Sequence, residues 1–374
     1  VALGNVTVNA LNLAQGAFPT VEKYFLFIGV GPINRNTVQF LNGDSDLDAV
    51  LGTAASELKT QISAARNNGG QNWACAAIAV ADGTAWSAAV DLAMNANLGV
   101  EAVVVCTPVT TGASLTAMQT KAGAINTAFG RRLFFIATTL AIDPTPSTGQ
   151  TWATYVTALT ALTTGINALR VSVVAQIFAS SIGIYAGRLC NAAVSVADTP
   201  MRVETGPLVG VDVTGLPLDN TGVRYSNAQA KALNDQRFAV PQLYSDYPGV
   251  FWSDGQMLDA PAGDYQVVEN LRIVDKAARA VRLVLIGLVG NRRFNSSPVG
   301  TDWATLQLMR PLREMSKSVK FQGIPFPAEI QAPIDGDILI NWVTRTQVQV
   351  FIKARPYQVP KDLTANIMLD LTTL

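Results

Sequence analysis

The 374-residue chain contains no histidine. That absence removes the commonest general base and the commonest metal ligand together. Ser-His-Asp and Cys-His catalysis and histidine zinc sites are excluded, while carboxylate and lysine chemistry stay open. Charge is scarce too. Asp, Glu, Lys and Arg make up 14% of the residues, against roughly 25% in ordinary soluble domains, although the hydrophobic content of 49% is ordinary. A surface with few charges points to coverage by other protein; the alternative is a large monomer rich in Ala, Thr and Asn. The three cysteines, Cys75, Cys106 and Cys190, stand far apart among small apolar residues and form no CxxC. They read as buried core thiols of a reducing compartment. The longest apolar run, VRLVLIGLVG, contains Arg282 and is about half the roughly 20 residues a bilayer requires. No signal-peptide pattern opens at Val1, so the expectation is a soluble chain made in a cytoplasm.

The net charge of zero hides an asymmetry. Residues 1–260 carry 13 Lys/Arg against 17 Asp/Glu, and residues 261–374 carry 14 against 10. One half is thus biased toward a charged partner, but the basic excess is too mild and mixed to argue for nucleic acid. Residues 1–13 alternate weakly and read as an extended arm. A buried-type strand, YFLFIGV, follows at 24–30. A helix opens at 44–52, capped by Asp44 or Asp46, and its periodicity continues through ELKTQISAA. Four apolar strands then alternate with helices: 74–81, 100–108, 132–140 and 170–178. Continuous apolar runs predict strands buried on both faces, as in an α/β layer sheet. Residues 198–262 are rich in Gly, Pro, Asp, Asn and Tyr, with one short helix at 226–235. A long helix runs from a cap at Asp264 to about Gly290, and a second lies near 303–320 with Pro311 as a kink. Strands fill 327–355, turning at Asp335-Gly336.

The C-terminus is unusual. After Arg355 and a polar spacer ending at Pro360 comes LTANIMLDL. Leu363, Ala365, Ile367, Leu369 and Leu371 share one face, the period-two mark of a half-buried strand. It must pair with its own sheet or with a neighbour's, and spacing alone favours neither. Two basic stripes stand out as well. Arg272, Lys276, Arg279 and Arg282 line one helix face, and Arg310, Arg313, Lys317 and Lys320 repeat the device. Residues 264–320 hold ten basic and five acidic residues. An ordinary solvated face is the plain explanation. Two such stripes in a charge-poor chain argue instead for an acidic protein partner. The sequence GVGPIN at 29–34 superficially suits a dinucleotide loop. It lacks the third glycine, Pro32 sits in its turn, and no helix follows at once, so a strand-to-loop turn is preferred.

The block SDGQMLDAPAGDYQVVENLRIVDKAARAVRLVLIGLVGNRRFNSSP, the later LMRPLREMSKS and the closing FIKARPYQVPKDLTANIMLDL resemble the C-terminal domain of contractile tail sheath proteins of bacteriophages and R-type pyocins. The stretch FLFIGV…NGDSDLDAVLG…LKTQISAARNNGGQNW is similar to one phage branch of that group. The resemblance implies an α/β (overall α+β) chain. Its inner domain would be built from the N-terminal arm (1–20) and the C-terminal third (263–374), with a larger α/β outer domain inserted at 21–262. It implies a structural subunit, not an enzyme, with no cofactor, no metal, no membrane insertion and no direct nucleic-acid contact. Its expected partners are copies of itself in a helical array of stacked hexameric rings, a tail tube protein, and baseplate and tail-terminator proteins. The array would belong to a virion tail assembled in the host cytoplasm. Terminal arms of such proteins augment neighbouring sheets, which here selects Val6 and Val8 at one end and Leu363, Ala365, Ile367, Leu369 and Leu371 at the other. Tube-facing residues, assigned from the basic stripes, are Arg272, Lys276, Arg279, Arg282, Arg313 and Lys317. The competing readings are a dinucleotide- or phosphosugar-using α/β enzyme and a different self-assembling tube or shell protein.

Overall fold

A computed structural model describes residues 21–70, 72–321 and 324–368. By their contacts these residues fall into two units. One runs to Val194 and resumes over Thr205–Val267; the other comprises Ser195–Glu204 and the chain from Val268 onward. The contact division falls at Val267/Val268, a few residues after the expected 262/263. The short segment 195–204, assigned by sequence to the larger domain, belongs to the C-terminal unit.

The first unit is built on a seven-stranded sheet. Its strands are β1 (Phe25–Val30), β2 (Gln39–Asn42), β3 (Ala74–Val80), β4 (Ala102–Val105), β5 (Phe134–Thr138), β6 (Val171–Val174) and β7 (Phe238–Ala239). Their spatial order is β2-β3-β1-β4-β5-β6-β7, all parallel except β2, which runs antiparallel to β3. The apolar runs expected as doubly buried strands are that: β3 to β6 are buried almost throughout. The order in which strands are added to the sheet reverses at β1, whose neighbours are β3 and β4.

The helices are α1 (Leu47–Leu51), α2 (Glu57–Gly69), α3 (Trp86–Asn95), α4 (Gly112–Phe129), α5 (Trp152–Thr163), α6 (Ser181–Cys190) and α7 (Asn227–Asn234). The single helix expected from residue 44 onward is two. Asp46 caps α1 through the Asp48 and Ala49 N–H groups, and Ser56 caps α2. Gly52 separates them at φ +98°, a conformation that ends the first helix and that side chains other than glycine's resist. Side chains from α3, α4, α5 and α7 join Leu26, Ile28 and Ile78 in one core. Helices α2 and α6 pack against each other. Gly183 and Gly187 permit that approach: a Cβ on them would lie 2.2 Å from the Gln61 carbonyl oxygen and 2.5 Å from that of Ala65. Helix α6 is buried along its whole length. Its Arg188 guanidinium is held at 2.9 Å by the Gly206 carbonyl.

Two strands of the segment 198–262 escaped the sequence reading besides β7: β8 (Pro241–Tyr244) and β9 (Tyr247–Trp252), a bulged antiparallel pair. They are short and interrupted by Pro, Gly and Asp, which masks any alternation.

The second unit contains α8 (Val268–Leu288), α9 (Pro298–Met315) and two hairpins, β10–β11 (Val319–Phe321, Ile324–Phe326) and β12–β13 (Ile338–Trp342, Val348–Ile352). Helix α8 starts four residues after Asp264, so that residue is not its cap. Helix α9 starts earlier than expected because Ser297 caps it and Pro298 supplies its preset φ at the first position. Pro311 lies inside it. The core combines Ile273, Ala277 and Val281 with Leu308, Met309, Leu312 and Met315, closed by Ile330 and Ile338. The turn at Asp335-Gly336 precedes β12 instead of joining the two strands; residues 343–347 make that connection.

Candidate assembly surfaces

The basic residues of α8 do not form one exposed stripe. The first half of the helix is enclosed on most sides. Val268, Glu269, Leu271, Arg272, Ile273, Asp275 and Ala277 are all buried. Arg272 is 1% exposed, so the structure removes it from any docking face of this chain. Lys276 turns inward, with its ammonium 2.6 and 2.7 Å from the two carboxylate oxygens of Glu329. The same carboxylate accepts from the Ser195 hydroxyl at 3.1 Å, fixing segment 195–204 to the unit. Arg279 is half-buried and Arg282 is exposed. On α9, Arg310 and Arg313 are exposed; Lys317, just beyond it, is exposed and pairs with Glu314 at 2.7 Å.

What these helices present is a mixed surface. Leu283, Ile286 and Val289 are exposed beside Arg282. Val299 and Leu306 are exposed on α9 at helical spacing from Arg310 and Arg313. Val289 is 84% exposed. The sequence carried a signal for this: LVLIGLVG (283–290) is apolar all round, and a helix resting on one core cannot bury every side.

The second surface is strand-like. In β12–β13, Ile338, Ile340, Val350 and Ile352 face the core. The partners Leu339 and Phe351 lie directly opposite each other on the other face, both exposed. An ion pair locks the hairpin's base. The Arg355 guanidinium grips both carboxylate oxygens of Asp337, whose side chain is 1% exposed. Burial pushes the Asp337 carboxyl up. Arg355, the Ile334 N–H and Lys353 outweigh it and hold the group below the usual carboxylate range. Beyond this clamp, residues 363–368 form no strand with any other described residue. Leu363 is 80% exposed and Ile367 96%; Ala365 is exposed as well. Leu369, Leu371, Val6 and Val8 lie outside the described residues.

The glycines of GVGPIN serve packing. A Cβ on Gly29 would stand 2.8 Å from the Cys106 Cβ, and one on Gly31 2.9 Å from the Ala79 Cβ. In open parallel sheets a phosphate sits at a helix N-terminus beside the point where strand order reverses. Here the N-terminus of α2 carries its own carboxylate, Glu57, which accepts from the Thr107 hydroxyl at 3.0 Å. Among the described residues no cluster of Cys, Asp and Glu could hold a metal, and no helix is long and apolar enough to cross a membrane.

Two family models cover the chain: DUF2586, N-terminal domain, over residues 3–256, and DUF2586, C-terminal domain, over residues 264–372. A protein of Haemophilus phage HP1 (strain HP1c1), named "Putative tail sheath protein", is 42% identical over 381 residues, spanning 99% of each chain. The chain belongs to this tail sheath family. Its fold agrees with sheath structures of far lower identity. The sheath of the extracellular contractile injection system PVC, in its contracted state, matches with a TM-score of 0.62 at 13% identity, over 99% of this chain and 98% of that one. The sheath tail protein from Desulfitobacterium hafniense matches with a TM-score of 0.55 at 10% identity, over 94% and 96%. The mixed helix-and-strand architecture expected for a sheath subunit is thus present in the described residues.

Proposed function

We propose that this chain is the structural subunit of a contractile tail sheath, polymerising helically around a tail tube and driving it through a target envelope on contraction. The observation that carries the reading is the alternating C-terminal segment. Its described part, residues 363–368, is exposed with Leu363, Ala365 and Ile367 at alternate positions, and the hairpin that precedes it in the chain exposes Leu339 and Phe351. An extended segment of this kind gains a row of main-chain hydrogen bonds when it joins the edge of another subunit's sheet. Family membership supplies the context in which such pairing has a purpose.

In this reading residues 363–371 form the C-terminal arm and Val6 and Val8 belong to the N-terminal one. The tube-facing surface is revised to Arg282, Arg310 and Arg313, with Arg279 and Lys317 at its margin. Arg272 is buried and Lys276 is paired with Glu329. Opposed charge would set register on an acidic tube, with contacts weak enough to break during firing. The energy of contraction would reside in the difference between two subunit packings, with no nucleotide consumed. The remaining partners are further copies in stacked hexameric rings, the baseplate and the tail terminator, and assembly takes place in the host cytoplasm.

Electron microscopy of the purified full-length protein tests this directly. Tubes or stacked rings are expected. A persistently monomeric particle that binds or hydrolyses a nucleotide would overturn the reading.

A further inference from the structure

The segment between the hairpin and residues 363–368 is anchored at two points and exposed in between. Its first anchor is Arg355 on Asp337, reinforced by a bridge between Ile330 and Pro356 and by the Gln331 N–H donating to the Arg355 carbonyl at 2.8 Å. Residues 357–360 are then exposed. The chain returns to the body of the unit at Lys361, whose ammonium donates to Glu269 Oε1 at 2.6 Å. Glu269 sits in the first turn of α8 with its side chain only 7% exposed, where the helix dipole favours a carboxylate. The Lys361 side chain is 28% exposed.

We propose that the Lys361–Glu269 pair is a latch that gives the C-terminal arm two tether lengths. Closed, it fixes the point of departure at residue 361. Open, the arm departs from residue 356, and the five residues released, 357–361, span at most ~18 Å. The two anchors differ in what they cost to release. Opening the first breaks a bidentate pair and strand-like main-chain bonds. Opening the second breaks the Lys361–Glu269 pair, at a partly exposed lysine, and peels off a loop that already faces solvent. Strain on the arm therefore releases the latch first, while Arg355–Asp337 keeps the chain attached. That the extra length serves subunits that move apart while linked rests on the sheath reading; the latch itself does not.

The test is a distance distribution between two nitroxides on the full-length chain at dilution, one at Asn341→Cys on β12 and one at Val359→Cys in the loop. The native cysteines Cys75, Cys106 and Cys190 are buried, so labelling is selective. The parent should give one narrow distribution. Lys361→Met should broaden it about twofold and shift it outward. Glu269→Gln/Lys361→Met, which removes the carboxylate charge together with that of its lysine, should do the same. Variants superimposable on the parent would overturn the latch. Because the measurement needs no polymer, it stands or falls separately from the sheath reading, which fails if the parent chain does not polymerise.

Discussion

At the scale of single residues, the recurrent device is a carboxylate that ties down its own local backbone. Asp82, Asp143, Asp212 and Asp219 each take the hydroxyl of a threonine two residues on. Asp219 is the most engaged. It accepts from the Thr221 hydroxyl at 2.7 Å, from the Thr221 and Val223 N–H groups at 2.9 Å, and from the Trp152 N–H at the start of α5. In Asp82 the Thr84 N–H, and in Asp143 and Asp212 the threonine hydroxyl, is the leading cause of a lowered carboxyl pKa. In Asp219 burial acts upward, but the hydrogen bonds win. Asp337 behaves likewise through Arg355. A folded pKa below the unfolded value of about 3.9 contributes stability that is complete above that value and is lost as pH falls through the folded one. Denaturant unfolding from pH 7 to pH 2.5 should therefore show a plateau and then a decline beginning near pH 4. Asp337→Asn should be less stable at pH 7 and decline less steeply below pH 4. A parallel curve for the variant would show that the Arg355 pair contributes nothing to the acid limb.

At the scale of elements, the α2–α6 contact is the most demanding. Glycine within a helix ordinarily costs about 1 kcal/mol relative to alanine, so Gly187→Ala would be stabilising on an isolated helix. Its Cβ would instead meet the Ala65 carbonyl at 2.5 Å, a backbone atom that cannot rotate away. We expect Gly187→Ala to cost about 1–3 kcal/mol in urea unfolding, as overpacking does; a gain in stability would mean that α2 and α6 separate easily. Elements also differ in how far the sequence exposed them. The sheet strands were legible because each is an apolar run bounded by turn residues. The break after α1 was not, since the helical pattern continues across Gly52 and only its positive φ ends the helix. Strands β8 and β9 were hidden by Pro241, Pro248 and Gly249. The basic stripe on α8 was legible as a period but misleading as a surface. Spacing places Arg272, Lys276, Arg279 and Arg282 along one side of a helix. It does not show that the first half of that helix is enclosed, or that Glu329, more than fifty positions away, awaits Lys276.

At the scale of the whole molecule, scarce charge, an exposed apolar–basic helix surface and an alternating tail that pairs with no other described residue point the same way. Each is a liability in a monomer, because large apolar patches and bare strand segments invite association. Each is a requirement in a subunit that exists to be built into a larger array. The resemblance read from the two ends of the chain matches the family that covers it along its length, whereas the residues that would touch a tube needed the three-dimensional arrangement to be sorted. The central claim is that residues 363–374 join neighbouring subunits and add little to their own. Deleting them and following both circular dichroism melting and polymer formation by electron microscopy measures the two contributions in one protein. The account predicts a melting curve close to that of the parent and no tubes or rings. A truncated chain that unfolds, or one that still polymerises normally, would contradict it.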